Sequence, residues 1–286
     1  MSFRIDAHQH FWHLNHGYGD WPPSELTTIY RDFTPADLAE LRRASHIDGT
    51  VAVQSNPHPG DTEYLLGLAN EHASILGVVG WVDLMATDAA SQIAAMARHP
   101  KLKGVRVMLQ NLPAHNWIES DHIQPAIQAL IAHDLSLDAL VLPQHLVGLY
   151  RFAERNQGLR VVIDHAGKPD IANRVAAPWR DDLHRLATLS NVHCKLSGLL
   201  TEAAPNDGRE ALQPYMDAIL EAFGVQRVIW GSDWPVVNLA SSYQQWVRIS
   251  TEYLREHKDQ TVREGEALIM GLNAKHFYRI DQLAHR

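Results

Sequence analysis

Two histidines near the start of the chain, His8 and His10, have a spacing that suggests chemistry. They follow a short apolar segment typical of a β-strand, and side chains at positions i and i+2 of a strand point to the same face. Two imidazoles on the inner face of a strand end could hold one metal ion or one water molecule between them. Two histidines hydrogen-bonded within a core would give the same pattern, so the spacing alone leaves both interpretations open.

A carboxylate near the other end of the chain, Asp233, is the predicted partner of this pair. It ends a second apolar segment that is also typical of a strand, and it could supply a metal ligand or a general base. We therefore expect the first and last strands to end side by side at one mouth of a closed barrel. Asp233 could instead only pair with a neighbouring Arg or Lys.

The composition limits the class of protein. The chain has 286 residues, of which 45% are apolar, enough for the large core of an α/β barrel. Its net charge of −8 argues against a nucleic acid or an anionic membrane as partner. Cys194 is the only cysteine, which excludes an internal disulfide, and we interpret it as core packing. No signal peptide or long apolar run is recognisable, so we expect a cytoplasmic protein, whose oligomeric state the sequence leaves open.

Short apolar segments alternate with amphipathic helical segments along the whole chain, which predicts parallel strands joined by helices. Thr34, Pro35 and Asp37 form one helix-start signal, and residues 261–264 form a second that we expect to open the terminal helix. Eight such units favour a single-domain (β/α)8 TIM barrel over residues 1–286, with an open sheet as the alternative. The predicted strands are residues 3–8, 49–54, 75–81, 102–109, 135–142, 159–165, 191–196 and 227–233.

Residues 11–33 form a long insertion after the first predicted strand, and it is rich in aromatic residues, including Trp12 and Trp21. A loop of this length in a compact domain is usually functional. In a barrel it would lie over the mouth, where its rings could stack on a substrate. The alternative is a loop that packs only on its own rings.

Polar residues stand at the ends of the predicted strands, and reactive groups of a parallel barrel come from these carboxyl ends. Buried charges need partners, so apolar packing alone does not explain polar residues at these positions. His165 could still be a hydrogen-bonded core histidine, and Arg106 a structural ion-pair partner. Ser197 lacks the Gly-x-Ser-x-Gly context of a serine nucleophile. Besides His8, His10 and Asp233, these polar residues are Gln54, Trp81, Asp83, Arg106, Asp164, His165, Lys168, Lys195 and Ser197.

Six segments at these positions resemble the motifs of the amidohydrolase superfamily, and in particular of its branch of amidohydrolase-related lactonases. The resemblance runs from the first strand to the last helix and implies a distorted (β/α)8 barrel. The branch includes sugar lactonases and hydrolases of pyrone-dicarboxylate and sulfomuconolactone. The segments are DAHQHFW at 6–12, LKGVR at 102–106, VIDHAGKP at 162–169, KLSGL at 195–199, WGSDWP at 230–235 and GLNAKHFY at 271–278.

The resemblance also implies what the metal content should be. Many amidohydrolases hold two metals with a carboxylated lysine on strand four, where this chain has Arg106. At most one divalent ion is therefore expected, on His8, His10 and Asp233, with His165 as a further candidate ligand. Zinc would suit these ligands. Some members of the branch work without any metal, so a metal-independent enzyme is the alternative.

The activity that the resemblance implies is hydrolysis of a sugar lactone, an aldonolactone, to the sugar acid. Asp233 would deprotonate a water that His8, His10 and His165 orient, and Arg106 would stabilise the oxyanion. The predicted substrate-binding residues are Trp12, Gln54, Arg106, Lys168, Lys195 and Trp234.

Three other functions remain open at this point. The same residues could serve a zinc-dependent decarboxylase, or a hydrolase of an aromatic-pathway lactone whose carboxylates or sulfonate would need several Arg or Lys at the mouth. The chain could also be a non-catalytic protein that binds a sugar acid or a metal. Turnover of lactones, and release of carbon dioxide, would separate these functions.

Overall fold

The described part of the chain forms eight parallel strands in a barrel, as predicted. A computed structural model describes residues 3–112, 117–205 and 207–280. Each strand lies within or next to its predicted segment, and most are one or two residues shorter at an end. The strands are β1 (Ile5–Gln9), β2 (Gly49–Val53), β3 (Ile75–Gly80), β4 (Leu102–Met108), β5 (Ser136–Leu140), β6 (Val161–Ile163), β7 (Val192–Leu196) and β8 (Val228–Trp230).

The strands pair in sequence order from β1 to β8, and the first and last strands meet at their carboxyl ends. There the backbone N–H of His10 donates to the carbonyl of Trp234, and the N–H of Asp233 donates to the carbonyl of His8, both over 2.7 Å. These two bonds bring the barrel close to closure. They also bring the histidines of β1 and the carboxylate after β8 to the same mouth, which excludes the open-sheet alternative.

Helices cover the outside of the barrel. Thr34 begins the first of them as predicted, since the Asp37 carboxylate accepts hydrogen bonds from the Thr34 N–H and hydroxyl. The described helices are α1 (Pro35–Ala44), α2 (Pro59–Glu71), α3 (Ala89–Met96), α4 (Gln124–Ala132), α5 (Leu146–Arg155), α6 (Trp179–Ala187), α7 (Leu199–Glu202), α8 (Arg209–Phe223), α9 (Tyr243–Glu256), α10 (Gln260–Glu264) and α11 (Asn273–Phe277).

The second helix-start prediction was wrong. Thr261 lies inside α10, and the residue that caps this helix is Asp259, whose carboxylate accepts the Thr261 N–H over 2.8 Å. The terminal helix is also not continuous, because a π-helical segment, Leu268–Leu272, separates α10 from α11. Asp259, two residues before Thr261, offers a side-chain oxygen that caps a helix as well as a Thr hydroxyl does. The helix therefore begins two residues earlier than the sequence pattern predicted.

The apolar core has two parts. The larger part lies between the strands and the surrounding helices. The smaller part fills the inside of the barrel and includes Val51, Val162 and Ile229, with Phe277 and Tyr278 from the end of the chain closing its amino-terminal side. The open end of the barrel is therefore the carboxyl end of the strands. The prediction that one domain spans residues 1–286 includes residues outside the described ranges and stays a prediction.

The insertion at residues 11–33 folds back on itself and reaches the mouth. Trp12 and Phe33 pair through backbone hydrogen bonds at its base. Trp21 and its neighbours in the loop line the cavity at the barrel mouth. None of the helices in the described ranges has the length and apolar character needed to cross a bilayer.

Candidate active site

Four side chains converge at the barrel mouth, and we call them the mouth cluster: His8, His10, His165 and Asp233. The Nε2 atoms of His8, His10 and His165 lie 3.7, 3.3 and 3.7 Å from the same oxygen, Oδ1 of Asp233. The four side chains are almost fully buried, and Asp233 is 5% exposed. Three imidazoles around one carboxylate oxygen, mostly beyond hydrogen-bonding distance, leave room for a small polar species among them.

Left-handed backbone turns aim two of these side chains at the mouth. His165 has φ of 52° and Asp233 has φ of 58°, a region that costs a non-glycine residue about 1–2 kcal/mol. Such strain persists only where surrounding structure imposes it, and it concentrates at functional sites. Glycine neighbours make the close approach possible: a Cβ on Gly198 would lie 2.5 Å from Nδ1 of His165, and one on Gly231 would lie 2.6 Å from Cβ of His8.

A carboxylate that the sequence analysis did not single out, Asp6, ties β1 to the segment after β8. Its oxygens accept hydrogen bonds from the N–H of His8, the N–H of Ser232 and the Ser232 hydroxyl. Burial raises the pKa of Asp6 to about 6 although these hydrogen bonds oppose the rise. Asp6 stands two residues before His8 in the same strand motif, which was the available signal. It sets the relative position of His8 and Asp233.

A second group of charges lies deeper in the barrel, and we call it the ion network: Asp138, Asp164, Lys195 and Tyr278. Nζ of Lys195 lies 2.6 Å from Oδ2 of Asp138 and 2.9 Å from Oδ1 of Asp164. The Tyr278 hydroxyl donates to the same Asp138 oxygen over 2.6 Å. Lys195 is 0% exposed, so it does not reach the cavity, and the prediction that it binds substrate is corrected to a role beneath the site.

The ionisation of the mouth cluster follows from burial and from these charges. Burial, and after it the charge of Lys195, lowers the pKa of His8 well below its ordinary value. Burial lowers the pKa of His165 to about 4. Burial opposes ionisation of Asp233, but the neighbouring imidazoles outweigh it and hold its pKa below the ordinary value. At neutral pH the Asp233 carboxylate is therefore ionised and can accept a proton, and the imidazoles of His8 and His165 beside it are neutral.

Arg106 stands on the cavity wall beside the cluster. Its Nη2 donates to the backbone carbonyl of Gln54, and its Nη1 lies 3.8 Å from Oδ2 of Asp164. Its Nε has no hydrogen-bond partner among the described residues. Gln54 is fully buried behind Arg106, so the structure places it as a support of the guanidinium and not in the cavity. Arg106 lines the cavity, although the unpaired Nε itself is buried.

The cavity above the cluster has a volume of about 490 Å³. His10, His165 and Asp233 form its floor with Arg106. Lys168 also lines it and lies 3.4 Å from Glu202, so the structure leaves its predicted contact with substrate available. From the loop, Trp21 reaches the cavity with 36% of its surface exposed.

Two predicted substrate contacts lie elsewhere. The ring of Trp234 is 1% exposed and packs edge-on against Phe11 and Phe33. The ring of Trp12 is buried against Phe33, and its Nε1 donates to the carbonyl of Arg31. Neither ring lines the cavity, because both serve as packing for the base of the loop. The loop reaches the mouth through Trp21, and the sequence alone could not tell which of its rings would line the cavity.

The donor chemistry of the mouth cluster fits a single divalent ion. One ligand atom each from His8, His165 and Asp233 lies within 4.8 Å of the others. His10, the remaining predicted ligand, donates from Nδ1 to the carbonyl of Val53 over 2.7 Å, which leaves its Nε2 lone pair free. Nε2 of His8 is buried without a hydrogen-bond partner among the described residues. Imidazole and carboxylate ligands of this kind suit zinc.

Known proteins resemble this chain over nearly its whole length. It is 48% identical over 285 residues to L-fucono-1,5-lactonase of Burkholderia ambifaria, and the alignment covers 99% of this chain and 97% of that protein. It is 37% identical over 255 residues to L-fucono-1,5-lactonase of Burkholderia multivorans, covering 85% and 86% of the two chains. A crystal structure of an amidohydrolase from Burkholderia multivorans with bound Zn superposes with a TM-score of 0.91 at 34% identity, covering 97% and 99%.

The family model described as Amidohydrolase matches residues 5–280, from β1 to the last described residue. The match spans every strand of the barrel and all four residues of the mouth cluster. The chain therefore belongs to the amidohydrolase family.

Proposed function

We propose that this chain is a lactonase that hydrolyses an aldonolactone, such as L-fuconolactone, to the sugar acid. The observation that carries the proposal is Oδ1 of Asp233 facing three imidazole Nε2 atoms at 3.3–3.7 Å on the floor of a cavity. The names of the two Burkholderia relatives support the same activity and favour a 1,5-lactone ring. The cavity of about 490 Å³ is in the range of ordinary ligand pockets.

The first step is removal of a proton from water by Asp233. The water lies among the imidazoles, and its oxygen attacks the lactone carbonyl carbon as the proton passes to the carboxylate. The carbonyl π bond opens, and its electron pair becomes the charge of a tetrahedral oxyanion. The low pKa of Asp233 keeps the base ionised at neutral pH, so no prior deprotonation is required.

The second part of the reaction is collapse of the oxyanion. Arg106 lines the cavity, and its Nη1, 3.8 Å from Asp164, would stabilise this charge, an effect worth about 3 kcal/mol per donor. The bond between the carbonyl carbon and the ring oxygen then breaks. The proton held by Asp233 passes to the leaving alkoxide, which gives the open hydroxy acid and returns the carboxylate.

Substrate contacts come from the loop and the cavity wall. The ring of Trp21 offers an apolar face on which the C–H face of a sugar can lie. Lys168 offers a donor to a sugar hydroxyl or to the product carboxylate. A divalent ion held by His8, His165 and Asp233, with His10 beside them, would polarise the carbonyl and acidify the water.

The competing functions are less well supported. The two Burkholderia relatives are both named as lactonases of a sugar acid. The negative overall charge argues against a nucleic acid as partner. A cytoplasmic location remains a prediction from the sequence. We propose a small-molecule sugar lactone as the partner of the cavity.

The test is a substrate panel in a pH-indicator assay, with the metal content of the same sample measured before and after chelation. The panel contains 1,4- and 1,5-aldonolactones, a pyrone-dicarboxylate and an aromatic carboxylic acid. Asp233→Asn, purified in the same way, corrects for spontaneous hydrolysis. We expect acid release from a sugar lactone and none from the others. Carbon dioxide release, or binding of sugar acids without turnover of any lactone, would contradict the proposal.

A further inference from the structure

The Nδ1 atom of His8 has two polar neighbours with opposite requirements. Nζ of Lys195 lies 3.1 Å away with hydrogen-bond geometry, whereas Oδ1 of Asp164 lies 3.4 Å away. An ammonium can only donate and a carboxylate can only accept. A hydrogen bond with Lys195 therefore requires that His8 Nδ1 carries no proton, whereas a hydrogen bond with Asp164 requires that it carries one. The nearer neighbour is the donor.

Lys195 has N–H groups for two hydrogen bonds. Its ammonium carries three N–H groups; one donates to Asp138 over 2.6 Å, and another is directed at His8 Nδ1. Asp164 lies 2.9 Å from the same Nζ as an ion pair, without the geometry of a hydrogen bond. A proton on Nδ1 would instead place an N–H against an ammonium in a fully buried site, where no water is available to separate them.

The opposite side of the ring agrees with this assignment. Nε2 of His8 faces Oδ1 of Asp233 at 3.7 Å. Asp233 Oδ1 already faces the lone pair of His10 Nε2 at 3.3 Å, so a second lone pair on His8 Nε2 would add to the repulsion, whereas an N–H there is attracted to the carboxylate. His10, two residues later, is the reverse case: its Nδ1 lies 2.7 Å from the carbonyl of Val53, which can only accept, so Nδ1 carries the proton.

We infer that Lys195, through its hydrogen bond to Nδ1, holds His8 as the Nε2–H tautomer, while Val53 holds His10 as the Nδ1–H tautomer. Lys195 is thus a positioning residue. In terms of the proposed function, on which this part of the inference rests, the water donates its protons to Asp233 and the His10 lone pair. His8 donates to the carboxylate or to the water oxygen.

The same hydrogen bond works against a metal. His8 can ligate a divalent ion through Nε2 only if its proton moves to Nδ1, where it would face the Lys195 ammonium. The site therefore binds zinc more weakly than its three imidazoles and one carboxylate suggest. Hydrogen-bond partners of this kind change metal affinity by about 10- to 100-fold. Replacing Lys195 should let Asp164 accept a proton from Nδ1 and free the Nε2 lone pair.

The direct test uses the wild-type protein, so it does not depend on any variant folding. The ¹⁵N shifts and two-bond ¹H–¹⁵N correlations of the histidine rings report which nitrogen carries the proton, with His8 and His10 assigned from His8→Gln and His10→Gln. We expect protonated Nε2 in His8 and protonated Nδ1 in His10. A protonated Nδ1 in His8 of the metal-free protein would overturn the inference, whatever the lactone assay gives.

The second test measures zinc affinity by competition with a chromophoric chelator in Lys195→Met and in Lys195→Met/Asp138→Asn. The single variant also removes a positive charge near the ion, whereas the double variant keeps the net charge of the ion network. We expect zinc to bind about 10- to 100-fold more tightly in both. Unchanged affinity in a folded double variant would overturn the effect assigned to Lys195, because charge alone would then explain the single variant.

Discussion

The mouth cluster and the ion network lie one above the other in the same barrel and differ in how their charges are matched. In the ion network, one ammonium contacts two carboxylates at 2.6 and 2.9 Å. In the mouth cluster, one carboxylate oxygen faces three imidazole nitrogens at 3.3–3.7 Å. His8 makes contacts in both groups, with Lys195 on one side and Asp233 on the other.

This difference separates charges that hold the barrel together from charges that are available for chemistry. Short contacts between opposite charges in a dry interior stabilise the arrangement, and removal of one partner leaves a costly unpaired charge. Longer contacts leave donors and acceptors free for a water, an ion or a substrate. We therefore expect changes in the mouth cluster to alter activity and changes in the ion network to alter stability first.

The largest effect is expected for Asp233→Asn. Loss of the base should lower kcat/KM by about 10³-fold, within the usual contribution of a general base, while the melting temperature stays close to that of the wild type. Steady-state lactone hydrolysis and thermal unfolding measure the two quantities. Asp83→Asn is the matched control, since Asp83 also follows a strand but is exposed and outside the cavity. Full activity in Asp233→Asn would contradict the role of the mouth cluster.

Asp138→Asn should have the largest effect on stability. It leaves Lys195 buried with one carboxylate instead of two, so we expect the free energy of unfolding to fall by about 3 kcal/mol in urea titrations at pH 7. Tyr278→Phe removes only a hydrogen bond to the same Asp138 oxygen and should cost about 1 kcal/mol. Equal losses in the two variants would show that the ion pair contributes nothing beyond a hydrogen bond.

The smallest of the three main effects concerns His193, a partly buried histidine outside both groups. Burial, and after it the charge of Arg227, lowers its pKa from 6.5 to about 4. The unfolded chain protonates this ring from about pH 6.5 downward while the folded protein does not, so stability is lost as the pH falls towards 4. Between pH 7 and 4.5, urea titrations of His193→Gln should show a loss smaller than that of the wild type by about 2 kcal/mol. An equal loss would assign the acid sensitivity to other groups, including the mouth histidines.

The repeating pattern of the chain predicted the barrel because each strand and helix carries its own periodic signal. The ends of the strands were less predictable. Residues 159–165 were predicted as one strand, but β6 ends at Ile163 because His165, Ala166, Gly167 and Lys168 all take left-handed backbone conformations. Three of these four are not glycine, so their sequence carries no signal for such a turn. Tertiary contacts impose it.

The sequence also did not indicate how deep a side chain lies along the barrel axis. Alternation along β7 correctly places Lys195 inside the barrel, but it does not distinguish the cavity from the level below it. Trp12 and Trp234 raise the same difficulty, since a tryptophan can either cover a substrate or fill a core. Asp6, Asp138 and Tyr278 acquired their roles only through contacts with residues far along the chain.

The order of residues along the chain determined the number of strands, the direction in which they run and the set of polar groups at their carboxyl ends. These are local properties, because periodicity and turn signals act over a few neighbouring residues. Folding in three dimensions decided which of those groups meet: two backbone bonds between β1 and the segment after β8 set His8 beside Asp233, and Lys195 reached His8 from below. Such distances depend on how the whole barrel closes, and no short stretch of sequence contains that information.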